Sequence, residues 1–199
     1  MALEVFRQLK RVDAQLQRTF EGPPAELAVE RRRLRLILLR QHLDSGLDSL
    51  RARHLEGASG QESVQAHAGF MDRFLSQLFA LALEDALREG LERTPIVLVA
   101  LGGYGRGELH PSSDIDVMVI YDGEMSPFVQ RVTQELLYTL WDLGLQVGHS
   151  CRSLPDCLAI ARTDFPSRTS MQEARYVAGD RVLFRRFQKV LREIGRAHV

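Results

Sequence analysis

The stretch that decides the fold spans residues 96–116 and reads IVLVALGGYGRGELHPSSDID. Its first six residues are apolar and rich in β-branched side chains, which predicts a short buried strand. Four of the next six residues are glycine, which predicts a loop whose backbone comes close to a ligand. Asp114 and Asp116 then alternate with Ile115 and Val117, which predicts a second strand with one acidic and one core-facing side.

Two familiar phosphate-binding loops do not fit these glycines. A P-loop ends in Gly-Lys-Ser/Thr, whereas Gly107 is followed by Glu108. A dinucleotide-binding loop needs a further glycine at the position of Glu108. The pattern that remains is a glycine pair at a strand end, Gly102 and Gly103, a gap of ten residues, and Asp-x-Asp on the next strand.

This pattern suits phosphate chemistry. Glycines at a strand end expose backbone N–H groups to phosphate oxygens. Asp114 and Asp116 would project from one face about 7 Å apart, where two ionised carboxylates need a cation between them. Mg²⁺ prefers one or two carboxylates together with substrate phosphates, and could activate a nucleophilic oxygen and stabilise a leaving pyrophosphate. The plainer alternative is a glycine-rich turn followed by exposed aspartates on an edge strand.

The residues before this stretch predict three helices. Apolar residues recur at helical spacing over 5–16 and 34–43, with a break at 22–24 between them. A small-residue linker at 57–60 precedes a third helix that Gly90 would end. The first 55 residues hold 11 Lys and Arg against 7 Asp and Glu, with most of the excess in the run Arg31-Arg32-Arg33. This run is either a solvated helix face or a docking surface for phosphate or a partner.

The residues after Asp116 predict alternating strands and helices, which is typical of an α/β fold. Ser126-Pro127 is a helix start, Gly144 a helix stop, and the apolar face between them includes Trp141 as a core residue. Residues 145–152 predict a third strand, with only helices after it.

Composition sets outer limits on function. The chain has 199 residues, 45% apolar and 26% charged, which excludes a disordered or collagen-like protein. Its 26 basic side chains balance 26 acidic ones, which argues against a protein that coats nucleic acid. Apolar stretches fall far short of the ~20 residues that span a bilayer, so no membrane partner is expected. Cys151 and Cys157 are expected to be free thiols of a cytoplasmic protein.

Three blocks of the sequence carry a family resemblance. GGYGRGELHPSSDID resembles the loop and acids of the polymerase-β-type nucleotidyltransferase superfamily. Together with LWDLGLQVGHSCRS and EARYVAGDRVLF, it is similar to the N-terminal domain of the bacterial bifunctional uridylyltransferase/uridylyl-removing enzymes of the PII signal protein, over about residues 93–187. The resemblance implies an α/β fold: a polymerase-β-like nucleotidyltransferase core with a small mixed sheet, preceded by an α-helical N-terminal region. It also implies Mg²⁺-dependent transfer of UMP from UTP to a tyrosine of PII, a step in nitrogen regulation.

Site residues follow from the resemblance position by position. Asp114 and Asp116 would be the catalytic residues and metal ligands, and one of them would help to take the tyrosine proton. The residues that would bind the nucleotide are Gly102, Gly103, Arg106 and Ser113. Arg106 has a second interpretation, because it could equally brace the loop by pairing with Glu108. A third carboxylate is usual in the superfamily, but 145–152 has none; His149 is the nearest polar residue there, and Glu173 could serve from a helix.

The resemblance also predicts how the chain is divided. Residues 1–92 would be a helical region and 93–192 the nucleotidyltransferase domain. The family's phosphohydrolase and glutamine-sensing domains have no counterpart here, so we expect a truncated N-terminal piece. Residues 193–199 can be back-translated as the start of a common sequencing adapter, so we expect native coding to end near Arg192.

Two other functions stay open at this level. One is another nucleotidyltransferase of the same fold, which adenylylates a protein, an RNA or a small molecule. The other is an inactive nucleotide-binding or interaction module, because the third carboxylate is missing.

Overall fold

The structure is a computed structural model that describes residues 2–196, so Ala197 to Val199 of the predicted adapter segment lie outside the described residues. Helices precede a region in which strands and helices alternate. In chain order the elements are α1 (Ala2–Thr19), α2 (Pro24–Leu55), α3 (Gly60–Arg88), β1 (Ile96–Ala100), α4 (Gly102–Gly105), β2 (Val117–Tyr121), α5 (Pro127–Asp142), β3 (His149–Ser153), α6 (Leu154–Thr163), α7 (Phe165–Gln172), β4 (Arg175–Gly179) and α8 (Arg181–Arg196).

The predicted helix start at Ser126 and helix stop at Gly90 are confirmed, whereas α3 begins at Gly60, within the predicted linker, with a cap that was not predicted. Ser59 and Glu62 form a capping box at the start of α3, in which the Ser59 N–H donates to the Glu62 carboxylate at 2.8 Å. The Val129 N–H donates to the Ser126 hydroxyl at 3.2 Å and caps α5. Gly90 follows α3 with a φ of +78°, the left-handed conformation that favours glycine after a helix.

The four strands form one mixed sheet in the order β3-β2-β1-β4, which confirms the predicted fold class. Strand β1 pairs antiparallel with both β2 and β4, whereas β2 and β3 are parallel. Sequence analysis missed β4 and predicted only helices there. Its five residues carry a weak local signal, and the strand is defined by its pairing with β1 across the fold.

The other differences between prediction and structure are small. Two strands begin later than predicted, and the glycine loop begins with a helical turn. The strand predicted from Ile115 begins at Val117, and the strand predicted from Leu145 begins at His149. The two segments already pair ahead of these starts, because the Ile115 N–H donates to the Gln146 carbonyl at 2.9 Å. The predicted glycine loop begins with the short helical turn α4.

Helices cover both faces of the sheet, so successive side chains of a strand point alternately into two separate cores. Val117, Val119 and Tyr121 face a large core with α3 and α5. Met118 and Ile120 face a smaller core with α6 and α8. Residues that precede Val117 in the same alternation therefore also separate into two faces, which is the basis of the site described below.

Trp141 is wrongly predicted as a core residue. It is 44% exposed, and its ring packs edge-on against His149 at a centroid distance of 5.5 Å. Because His149 belongs to β3, one of the two edge strands of the sheet, Trp141 lies past the covered part of the sheet. The earlier apolar residues of α5 are buried as predicted.

The basic N-terminal segment is neutralised within the molecule. Arg32 binds Glu135 at 3.2 Å and Asp142 at 2.7 Å, both on α5. Lys10 of α1 binds Glu84 of α3 at 2.5 Å. The balance of charge noted in the sequence is thus partly a set of ion pairs between the first two helices and the rest of the chain. Sequence analysis interpreted the arginine run as a solvated helix face or as a docking surface for phosphate or a partner. Neither describes Arg32, whose ion pairs hold α2 against α5.

Two further expectations concern thiols and membranes. Cys151 and Cys157 are both free, and burial raises the pKa of the Cys157 thiol to about 12. Across residues 2–196, none of the helices has the length and apolar character needed to cross a bilayer.

His42 is a buried titratable group inside the helical region. It is 7% exposed, and its Nε2 atom has no hydrogen-bond partner in the described part of the chain. Phe6, Phe70 and Phe74 surround the ring at centroid distances of 6.3, 5.8 and 6.1 Å. Burial in these surroundings lowers the pKa of His42 below its ordinary value.

We expect the free energy of unfolding to fall as the pH drops from about 7.5 to about 5.5. The unfolded chain takes up a proton on His42 near pH 6.5, whereas the folded chain resists it, so acid favours the unfolded state. The contribution of His42 to stability is present above the unfolded pKa and is lost as the pH falls through it. Urea unfolding at both pH values measures it. The variant His42→Leu should lose less stability between the two pH values than the unmodified chain, and equal losses would contradict the assignment.

Candidate active site

The glycine pair and the acids lie side by side at one end of β1 and β2. The Leu101 N–H donates to the Asp116 carbonyl at 2.9 Å and so joins the glycine turn to the entry of β2. Gly102 has a φ of +55°, and a Cβ atom added there would lie 3.4 Å from Asp116 Oδ2. The first N–H groups of a helical turn have no partner within it, so the amides of Gly102 and Gly103 can bind an anion.

A second glycine, which sequence analysis did not single out, lies on the other side of Asp116. A Cβ atom at Gly148 would lie 2.1 Å from Asp116 Oδ1, so any other residue there would displace this carboxylate. Gly148 is positioned by pairing, because its carbonyl accepts from the Val117 N–H at 2.8 Å. The only signal for it was its presence in the block LWDLGLQVGHSCRS, because its neighbour Asp116 is distant in sequence.

The two acids are exposed, and their negative charges lie close enough to act on each other. Neither the Asp114 nor the Asp116 side chain makes a hydrogen bond or an ion pair with any residue in 2–196 for which side-chain contacts are described. Partial burial raises the pKa of Asp116, and the charge of Asp114 raises it further. Ile115 between them is buried at 4% exposure, so the predicted division of faces is present. Two repelling carboxylates without a partner are suited to holding a cation.

No third acid joins this pair. The described residues contain no group of three or more His, Cys, Asp and Glu side chains placed to hold a metal ion. Glu173, the predicted substitute, directly follows α7 as its C-cap, and its carboxylate binds Arg106 Nη1 at 2.7 Å. His149 packs against Trp141 instead.

Arg106 braces the loop in this structure. Its Nε donates to Glu108 at 3.4 Å, the pairing that sequence analysis weighed against phosphate contact, and its Nη1 donates to Glu173 at the shorter distance of 2.7 Å. These hydrogen bonds, with Glu108 first and Glu173 second, raise the pKa of the Arg106 guanidinium. Ser113 is exposed, and its N–H donates to the His110 carbonyl at 3.1 Å in the turn that precedes Asp114.

A partly buried network of hydrogen bonds holds the glycine turn against α3 and β4. Tyr104 is 2% exposed, and its hydroxyl donates to Asp72 of α3 at 2.7 Å. Arg175 of β4 binds the same carboxylate at 2.5 Å and donates to the carbonyls of Tyr104 at 2.9 Å and Gly105 at 3.2 Å. Burial, followed by the charge of Asp72, raises the pKa of Tyr104. Sequence analysis missed Asp72 and Arg175, which lie far from the loop in sequence.

The far end of the loop is anchored on α3. The Leu109 N–H donates to the Val64 carbonyl at 3.3 Å, and His67 Nδ1 lies 3.2 Å from the Leu109 carbonyl. Burial lowers the pKa of His67, against the smaller opposing effect of that hydrogen bond. The loop that leads to Asp114 is therefore held at both ends by the helical region and the sheet.

Comparison with known proteins gives a consistent result. A family profile described as "Putative nucleotidyltransferase DUF294" matches residues 47–150, which include both glycine positions and both acids. A Nitrosococcus oceani protein named bifunctional uridylyltransferase/uridylyl-removing enzyme is 38% identical over 158 residues, which cover 78% of this chain and 17% of that protein. Proteins of the same name from Rhodospirillum rubrum and Novosphingobium aromaticivorans are 38% and 40% identical over 78% and 74% of this chain. The match spans about a sixth of the length of these relatives.

Proposed function

Because the chain belongs to the DUF294 nucleotidyltransferase family, we propose that it transfers UMP from UTP to a tyrosine hydroxyl of the PII signal protein, with Mg²⁺ as the cofactor. The observation that carries the proposal is the unpartnered pair Asp114 and Asp116 beside Gly102 at the end of β1. The names of the relatives supply the uridylyl group. The resemblance in sequence supplies PII as the acceptor, and two free thiols agree with a cytoplasmic setting.

The residues present fit a divalent cation. Asp114 and Asp116 offer carboxylate oxygens that no side chain among the described residues neutralises, and partial burial, followed by the charge of Asp114, raises the pKa of Asp116. Gly148 leaves room for the Asp116 carboxylate, and Gly102 lets the glycine turn come close to it. Mg²⁺ completes its coordination with substrate phosphates, so two protein carboxylates are enough to hold it. When bound, it would lower the charge on the triphosphate and stabilise the leaving pyrophosphate.

Each protein residue of the site would have its own role in the transfer reaction. The amides of Gly102 and Gly103 would hold the triphosphate, with Ser113 beside it. The tyrosine oxygen attacks the α-phosphorus, a new P–O bond forms, and the bond to pyrophosphate breaks. Asp116, whose carboxylate lies beside the glycine turn that would hold the triphosphate, would take the tyrosine proton. Arg106 would contact phosphate only after leaving Glu108 or Glu173.

A labelling experiment tests the proposal. The chain is incubated with Mg²⁺, PII and α-labelled UTP or α-labelled ATP, and label on PII is measured after separation of the proteins. Label from UTP that requires Mg²⁺ is the expected result. Transfer only from ATP, or only to another acceptor, would identify a different nucleotidyltransferase. Binding of UTP without transfer would favour the nucleotide-binding module, which the missing third acid would then explain.

Gly148→Ala is expected to reduce transfer at least about tenfold with little loss of stability. Its Cβ would lie 2.1 Å from Asp116 Oδ1, so the carboxylate must move away from its place. A misplacement of about 1 Å at a reacting group can cost a large factor in rate. The matched control is Gly69→Ala on α3, where an added Cβ would have only Arg73 Nη1 near it, at 3.7 Å. Initial rates of labelling and thermal melting measure both effects, and equal rates in Gly148→Ala and Gly69→Ala would contradict the prediction.

A further inference from the structure

The outer side of β3 is an open edge of the sheet. In the order β3-β2-β1-β4, β3 pairs with β2 alone, in a regular register from His149 to Ser153. Parallel strands bond through alternate residues, and the Val117 N–H donates to the Gly148 carbonyl. The backbone groups of His149 and Cys151 therefore point away from β2, and they have no hydrogen-bond partner within residues 2–196. Such an edge is a template for one more strand.

The opposite edge of the sheet, formed by β4, is less suited to pairing. Its register against β1 shifts between Leu98 and Val99, which leaves Val177 opposite no residue of β1. An irregularity of this kind twists an edge strand and hinders the addition of another strand. Strand β3 has no such shift, so its edge is the more favourable of the two.

The open edge of β3 leads to the acid pair through Gly148. A Cβ atom at Gly148 would lie 2.1 Å from Asp116 Oδ1, so the carboxylate lies directly over this glycine. The other oxygen of Asp116 faces the glycine turn at Gly102. A strand added to β3 and continued past His149 would lie one strand spacing, about 4.8 Å, from the backbone of Gly148. The Asp116 carboxylate is thus accessible from the glycine turn on one side and from the open edge on the other.

Exposed aromatic rings lie beside the same end of the edge. Tyr138 and Trp141 of α5 are 50% and 44% exposed, and their ring centroids lie 5.8 Å apart. Trp141 also packs against His149, which the alternation of β3 puts on the α5 side of the sheet, whereas Asp116 is on the other side. Successive residues of an added strand would alternate in the same way. One would contact the aromatic pair, and the next would point to the face that carries Asp116.

We propose that an extended segment of the acceptor protein, the one that carries the tyrosine, pairs with the outer edge of β3 and places a neighbouring apolar side chain on Tyr138 and Trp141. This inference rests on the proposed function and names the surface through which its protein partner binds. Main-chain hydrogen bonds to His149 and Cys151 would give affinity, and the aromatic pair would give selectivity. The acceptor tyrosine must then lie in an extended segment, because a helix cannot pair with a strand edge.

Steady-state transfer at saturating Mg²⁺-UTP and varied PII tests the aromatic anchor. Tyr138→Ala and Trp141→Ala should each raise the KM for PII at least about tenfold, because truncated aromatic anchors cause the largest losses at protein interfaces. The kcat and the calorimetric Kd of Mg²⁺-UTP should stay within about twofold, since the rings lie on the face opposite Asp116. The matched control is Met125→Ala, which shortens a side chain of similar exposure, 49%, beyond the other end of β2 and should leave the KM unchanged.

Hydrogen–deuterium exchange tests the edge itself. The unmodified chain is exchanged with Mg²⁺ and a UTP analogue that cannot transfer its uridylyl group, with and without PII. The amides of His149 and Cys151 should exchange at least about five times more slowly when PII is present, because they gain hydrogen bonds to the added strand. The amides of β4 are the internal control and should exchange at the same rate in both samples.

The outcomes separate the inference from the function on which it rests. A raised KM for PII in both aromatic variants, with unchanged binding of UTP and slower exchange of the edge amides, supports the inference. An unchanged KM in both variants, or edge amides that exchange equally fast with and without PII, overturns it and leaves the proposed function intact. Slower exchange on concentrating the chain alone would show that a second copy occupies the edge, which also overturns it. If the unmodified chain neither binds Mg²⁺-UTP nor labels PII, the proposed function fails and the inference fails with it.

Discussion

Asp114→Asn is expected to reduce transfer about a thousandfold, and Asp116→Asn to do the same. Each change replaces a charged cation ligand by a neutral amide, and Asp116→Asn also removes the proposed base. A loss of about 4 kcal/mol of transition-state stabilisation is in the range attributed to a catalytic cation and corresponds to about three orders of magnitude in rate. Mg²⁺-dependent binding of UTP should weaken in both variants, which provides a readout independent of the acceptor protein.

Both variants should fold as well as the unmodified chain. Burial and the charge of Asp114 raise the pKa of Asp116, so its ionised form opposes folding at neutral pH. Removing either charge removes part of this repulsion, and the melting temperature should stay the same or rise slightly. A fall in activity with an unchanged or higher melting temperature separates a catalytic role from a structural one.

The control for these variants is Glu124→Gln, which removes one charge at an exposed position beyond the other end of β2. It should leave transfer within about twofold, because exposed charges at a distance are screened by solvent. Transfer by Asp114→Asn at more than about a tenth of the unmodified rate would rule out its role as a metal ligand.

The acids and glycines could be found from the sequence because their signals are local. Alternation along a strand puts Asp114 and Asp116 on one face and Ile115 on the other, and the structure has that arrangement. Gly148 and Arg175 have no such signal. Each acts on a neighbour that the sheet brings to it from another part of the chain, and a single sequence does not contain that pairing.

The same reason explains the errors in the fold. Helix starts and stops depend on residues within one turn, so Ser126, Gly90 and Gly144 could be identified. Strand β4 is defined by its partner β1, and the exposure of Trp141 depends on which strand lies at the edge of the sheet. Helical periodicity gives the apolar face of α5 but does not show where the sheet beneath it ends.

The helical region and the site are physically connected through α3. Asp72 of α3 binds Tyr104 and Arg175 under the glycine turn, and His67 of α3 lies against the end of the loop. A change that loosens α3 should therefore affect the position of the loop as well as the stability of the helices. The largest such change concerns a buried charge that joins α3 to the two preceding helices.

Arg35→Met is expected to lower the free energy of unfolding by about 3–5 kcal/mol. Arg35 of α2 is 9% exposed and binds Asp13 of α1 and Asp85 of α3, with its Nε 3.3 Å from Asp13 Oδ1 and its Nη2 3.2 Å from Asp85 Oδ1. Burial alone would lower the pKa of Arg35, but the hydrogen bonds that it donates to Asp85 and Asp13 outweigh it and raise the pKa. Without the guanidinium, two buried carboxylates would face each other with only the more distant Arg88 and Arg31 nearby.

Urea unfolding of three variants isolates this effect. Arg33→Met is the control on the same helix, because the Arg33 side chain is 72% exposed and makes only one long pair with Glu30, at 3.7 Å. It should change the free energy of unfolding by less than about 0.5 kcal/mol. The triple variant Asp13→Asn, Arg35→Met, Asp85→Asn should recover much of the loss, because it leaves no uncompensated charge in the core. A loss below about 1 kcal/mol for Arg35→Met, or no recovery in the triple variant, would show that the buried charges are not what joins the three helices.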